Sequence, residues 1–212
     1  MSLRASDRIA LPAPGQPPTD PDARPRRGRP PPRNEILRAG RFGGLAPEEL
    51  AGGFGTPLYV YDLDVIDRQV AALRAALPPN AELAYAVKAN PALAIVAHLG
   101  ALGLGADVAS GGELATALRA GIPAERIVMT GPGKRDAELR AAVEAGGTGI
   151  RAVTVESLGE LARLEAIARD VGRRQPVMLR AAVSETARLE RVRLVGDDGA
   201  GKFGMDAAGL VD

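Results

Sequence analysis

Lys88 is the residue around which a chemistry can be written. It follows the short apolar run Ala84-Tyr85-Ala86-Val87 and precedes Ala89-Asn90-Pro91. Asn favours the N-cap of a helix and Pro its first position, so the spacing predicts a strand ending at Lys88 and a helix starting at once. In α/β architectures that edge is where ligands and catalytic groups collect. A lysine there can snorkel to solvent or pair with a carboxylate. Alternatively, desolvation lowers its pKa and the neutral amine attacks a carbonyl carbon, the chemistry of a Schiff-base lysine.

Other residues could serve the same rim. Arg180 closes a later predicted strand, and a planar guanidinium suits a carboxylate or a phosphate. Asp107 lies inside another strand, where a carboxylate is either paired with a neighbouring strand's group or directed at a ligand. Thr130-Gly131-Pro132-Gly133-Lys134 is a glycine-rich turn without the spacing of a P-loop, so it reads as a plain turn or an anion-binding one. Glu113 and Glu160 each stand three residues after a serine, and capping accounts for both. His98, the single histidine, reads as a surface residue of a helix. With no His pair, no cysteine and no carboxylate cluster at ligand spacing, no metal site is expected.

The elements that must position these groups repeat. Strands are predicted at 83–87, 106–109, 127–130, 150–155 and 177–179, and helices at 91–102, 111–120, 137–145 and 158–171. Gly103, Gly121, Gly146 and Gly172 follow the helices as C′ glycines. Ser110-Gly-Gly-Glu113 and Ser157-Leu-Gly-Glu160 share one helix-start signature. Strand–helix alternation at this interval calls for a parallel sheet with right-handed crossovers. A (β/α) barrel and a doubly wound sheet both fit, and the regularity favours the barrel. Five strands are countable against the eight of a closed barrel. After Arg180 the pattern decays, and Lys202-Phe203-Gly204-Met205 reads as the start of a further helix. Upstream, Pro57-Leu58-Tyr59-Val60-Tyr61 reads as a strand, and residues 63–77 as a helix with Ile66, Val70, Leu73 and Leu77 on one face.

Composition bounds the rest. The chain has 212 residues, 46% of them hydrophobic, only 3% aromatic and none cysteine. It can build an aliphatic core, and a disulfide framework is excluded. Residues 1–33 hold nine of the 17 prolines and seven arginines, too few apolar groups to fold. This tail is either a solvated extension or a basic arm; without interleaved aromatics the first is favoured, and no nucleic-acid partner is expected. No apolar stretch is long enough to cross a bilayer and no signal peptide is recognisable, so a cytoplasmic location without membrane attachment is expected.

Six motifs occur in register with one family: Tyr59-Val60-Tyr61-Asp62, Tyr85-Ala86-Val87-Lys88-Ala89-Asn90, Asp107-Val108-Ala109-Ser110 with Glu113, Thr130-Gly-Pro-Gly-Lys134, Val155-Glu156-Ser157-Leu158-Gly159-Glu160-Leu161 and Lys202-Phe203-Gly204-Met205. In this the chain resembles the fold-type III pyridoxal-phosphate decarboxylases that act on diaminopimelate, ornithine and arginine, and most of all the diaminopimelate group. The resemblance implies an alanine-racemase-like (β/α) barrel, here the N-terminal portion with about five of its eight units. It implies pyridoxal 5′-phosphate as cofactor, Lys88 as its covalent anchor, Asp107 and Arg180 as cofactor-binding groups, and Glu113 and Lys134 as supporting groups. On this reading residues 1–33 are a tail, 34–62 a connector with the first strand of a second β domain, and 63–212 the partial barrel. The substrate would be a small amino acid, and the complete protein a homodimer. Two alternatives stay open: a non-catalytic cofactor-binding or regulatory protein, and a decarboxylase whose amino acid is carried on another protein.

Overall fold

In the computed structural model, residues 40–182 and 204–205 are described. The chain divides into two units, residues 1–77 and 78–212. The helix at Leu63–Ala76 groups with the first unit.

Among the described residues, the first unit holds two helices, α1 (Pro47–Phe54) and α2 (Leu63–Ala76). The Asp62 side chain caps α2 by accepting from the Asp64 N–H at 3.0 Å, and it also accepts from Gly43 N–H at 3.1 Å. α1 was not foreseen: Pro47 at its first turn and two early glutamates start it, but two glycines within eight residues hide it from pattern reading. The strand expected at 57–61 is not formed. That segment has no ladder partner among the described residues, and Tyr59 is 87% exposed; one extended segment cannot satisfy its own backbone groups.

The second unit is a five-stranded sheet in the order β1 (Ala84–Ala86), β2 (Gly105–Val108), β3 (Ile127–Met129), β4 (Ala152–Val155), β5 (Val177–Leu179). Every neighbouring pair is parallel. Helices α3 (Leu93–Ala101), α4 (Gly111–Arg119), α5 (Asp136–Glu144) and α6 (Leu158–Val171) fill the crossovers. The sequential strand order is that of an opened (β/α) barrel, and a doubly wound sheet would reverse at a switch point.

Register sorts the two faces. Ala86 is level with Asp107, Asp107 with Val128, and Val128 with Ala152, so these residues share one face. The alternate residues Val108, Met129 and Val153 are fully buried on the other, against helices whose inward positions include Leu114, Leu139 and Leu164. Burying each such aliphatic side chain contributes roughly 1.5–3 kcal/mol, and that layer carries the unit. Among the described residues β1 and β5 are the sheet's edges: Val177, Met178 and Leu179 are 40%, 43% and 50% exposed.

Helix starts and stops follow the local signals with one exception. The Ser110 and Ser157 hydroxyls accept from the N–H groups of Glu113 and Glu160 at 3.2 Å each, and Gly103, Gly121, Gly146 and Gly172 all take positive φ. The exception is beside Lys88. β1 stops at Ala86 and Val87–Ala89 form one 3₁₀ turn, so Lys88 is not the last residue of a strand. Asn90 is extended, not a helix cap; its Oδ1 accepts from Ala92 N–H at 3.0 Å. Extension is what a residue before proline prefers, and it delays α3 to Leu93. At the other end, Met205 makes a parallel bridge to Ala181, next along from β5; the rest of the helix expected from Lys202 lies outside the described residues.

Candidate cofactor site

All the candidate residues gather at the C-terminal edge of the parallel sheet. Lys88 emerges directly after β1, exposed, and among the described residues its ammonium has no hydrogen-bond or ion-pair partner. Its surroundings are built locally: the Tyr85 hydroxyl donates to the Asn90 carbonyl at 3.2 Å, closing the turn that carries the lysine.

Asp107 lies on the open face of β2. Its Oδ1 accepts from the Thr130 hydroxyl at 2.8 Å, so the carboxylate is paired with the group that follows β3. Glu113, in the first turn of α4, accepts from the Ala109 N–H at 2.9 Å. It thus closes the turn after β2, the role its spacing indicated.

Lys134 does not face solvent. It is 4% exposed, and its ammonium donates to the Gly131 carbonyl, to the Thr154 carbonyl at 2.7 Å and to both Glu160 oxygens at 3.1 and 3.2 Å. Those acceptors use all three donors, so Lys134 ties the glycine-rich turn to β4 and α6. Glu160, expected only to cap, is therefore also the buried counter-ion of Lys134. It accepts in addition from Glu156 N–H at 2.9 Å. Arg163 reinforces the turn from α6, donating to the Lys134 carbonyl at 3.2 Å and to Asp136 at 2.6 Å.

Arg180 follows β5, and its backbone N–H continues the ladder to Val155 at 3.0 Å. Its Nη1 donates at 2.9 Å to Glu156, whose side chain is 5% exposed against 41% for the arginine. Sequence reasoning passed over Glu156. A lone glutamate after a strand carries no local signal; its partner is 24 residues away and is brought near by the β4–β5 register.

One carboxylate at this edge is strongly perturbed. Glu138 in α5 accepts from the Arg135 side chain, from Gly111 N–H at 2.8 Å and from Arg135 N–H at 3.0 Å. These donors, Arg135 first, hold its pKa down from the usual 4.5 to about 2. His98 is a half-buried residue of α3. Among the described residues no three acidic or histidine side chains converge to hold a metal, and no helix is long and apolar enough to cross a membrane.

The edge thus offers an amine without a partner among the described residues on β1's side, a guanidinium on β5's side, and between them acids already engaged. Lys88 and Arg180 stand four strand spacings apart, about 19 Å along the sheet, and no direct contact joins them. The donor set suits a group with an aldehyde for the amine and an anionic side for the guanidinium.

Comparison with known families identifies the domain and its cofactor. Residues 63–212 match the pyridoxal-binding domain of the pyridoxal-dependent decarboxylases. The chain belongs to that family. The matched domain is the one that takes pyridoxal phosphate, in agreement with the donor set. Diaminopimelate decarboxylase of Aquifex aeolicus is 47% identical over 137 residues, 65% of this chain and 32% of that protein. The Bacillus subtilis enzyme is 37% identical over 168 residues, 78% of this chain and 37% of its own length. Among solved structures, diaminopimelate decarboxylase from M. jannaschii in complex with L-lysine superposes with a TM-score of 0.69 at 33% identity, covering 78% of this chain and 39% of that one. A lysine/ornithine decarboxylase from Vibrio vulnificus superposes with a TM-score of 0.54 at 36% identity, covering 64% and 37%. The chain spans about a third of the length of the curated decarboxylases it matches.

Proposed function

We propose that this chain is the cofactor-anchoring portion of an amino-acid decarboxylase of the diaminopimelate type. Lys88 would hold pyridoxal phosphate through its amine. Arg180 and Asp107 would orient it, and Glu113 and Lys134 would support the turns around it. The observation that carries this is the exposed Lys88 ammonium, without a partner among the described residues, at the C-terminal edge of the sheet, in a chain 47% identical over 137 residues to a diaminopimelate decarboxylase.

The residues present fit the cofactor. An amine without a counter-ion loses no salt bridge when it is consumed in a covalent bond, and a half-exposed arginine suits an anion. Bound there, pyridoxal phosphate supplies an electron sink for the pair left when the α-carboxylate departs as carbon dioxide. The chain's own part is binding and orientation: Asp107 is fixed by Thr130 and Arg180 by Glu156. The same reading carries a small amino acid as substrate, a homodimer in the complete protein and a cytoplasmic location.

The test is a cofactor titration of the full 212-residue chain followed by absorption, with Lys88→Ala alongside. A saturable band present in the wild type and lost in the variant supports the reading; equal spectra contradict it. Release of carbon dioxide from diaminopimelate by the saturated protein separates a decarboxylase from a protein that only holds the cofactor.

A further inference from the structure

We propose that Glu156 is the positioning residue of the cofactor site: its buried carboxylate sets Arg180, and it does so jointly with the docking of Gly204. This rests on the assignment of Arg180 to the cofactor.

Each oxygen of Glu156 has its own donor. Oε1 accepts from Arg180 Nη1 at 2.9 Å and Oε2 from Gly204 N–H at 2.8 Å. The glutamate's backbone is pinned as well, since its N–H donates to Glu160 at 2.9 Å, and Glu160 is held by Lys134. A carboxylate on a side chain 5% exposed must be matched by donors, and this one is matched on both sides.

Helix capping does not require it, because Ser157 and Glu160 already start α6. What it joins is distant in sequence: Arg180 is 24 residues away and Gly204 is 48. The Gly204 approach is close. Its φ is +78°, and a Cβ there would lie 2.8 Å from the Arg180 carbonyl oxygen. Backbone bonds flank the contact, Met205 N–H to Arg180 O at 2.8 Å and Ala182 N–H to Met205 O at 2.7 Å. The arginine is therefore clamped by its own backbone, by the incoming segment and by one acid that both share.

Glu156→Gln tests this with little change of volume. A glutamine has one acceptor oxygen and must turn its amide toward the other donor, so one limb of the clamp is lost. Pyridoxal phosphate is titrated into the full chain as wild type, Glu156→Gln, Arg180→Ala and the double variant, with thermal melting recorded for each. The expected result is an affinity about tenfold weaker for each single variant, the scale of one charge-assisted hydrogen bond. The double variant should bind no more weakly than Arg180→Ala alone, because Glu156 acts through that arginine. Should Glu156→Gln fail to fold, Glu156→Asp takes its place under the same criterion, retaining the charge on a shorter arm. Less than a twofold effect, or losses that multiply in the double variant, overturns the inference while the proposed function stands. A wild type that takes up no cofactor overturns both.

Discussion

Glu160 receives the ammonium of Lys134 at 3.1 Å, with side chains 3% and 1% exposed. This ion pair is sealed inside the sheet's C-terminal edge, where the sequence indicated a helix cap and a glycine-rich turn, plain or anion-binding. Removing one partner strands the other charge. Lys134→Met should therefore cost about 3–5 kcal/mol of stability, whereas Lys134→Met with Glu160→Leu should recover a good part of it. Chemical denaturation of the three proteins measures both. A mild effect of the single variant would show that the pair does not hold the turn.

Glu138 gives the stability a defined acid limb. Its pKa is lowered from 4.5 to about 2, so folding favours its charged form. That contribution is complete above the ordinary carboxylate range and is lost as pH falls through about 2. Glu138→Gln should be less stable than wild type at neutral pH, and the gap should narrow between about pH 4.5 and 2. Melting temperatures across that window check it; a constant gap would mean that the carboxylate's charge is not what matters.

Gly105, the first residue of β2, lies against the chain before β3. A Cβ there would stand 2.3 Å from the Arg126 carbonyl oxygen, and backbone cannot yield as a side-chain tip can. Gly105→Ala should destabilise by roughly 1–3 kcal/mol, as overpacking does, with the fold kept by circular dichroism. Wild-type stability in the variant would show that the two strands can part at no cost.

What was legible in the sequence was whatever is written locally. Val177–Leu179 and Leu158–Val171 were bounded to the residue, because a serine cap, a C′ glycine and a short apolar run after a proline each act locally. Asn90 misled for the complementary reason. Its cap signal is genuine chemistry, but Val87–Ala89 had already turned and Pro91 held it extended, so the same side chain closed a turn two residues early. Tyr59–Tyr61 has strand composition without a described partner, and pairing is not a property of one segment. Glu156 was missed because its significance is assembled by register: nothing near residue 156 announces Arg180 or Gly204.

The open sheet makes a prediction about association. β5 leaves three consecutive apolar residues at least 40% exposed, and among the described residues no strand pairs with its outer side, making it a template for another strand. The 212-residue chain in isolation should self-associate, with Met178→Lys reducing it. Light scattering against concentration tests this, and a strictly monomeric wild type would contradict it.

The account depends most directly on the Lys88 amine. Pyridoxal phosphate is added to the full chain, the mixture is reduced with borohydride, and the digest is mapped by mass. The account predicts one dominant pyridoxyl addition on the peptide bearing Lys88, absent from Lys88→Ala. An unmodified Lys88 peptide, or addition scattered among other lysines, would contradict it.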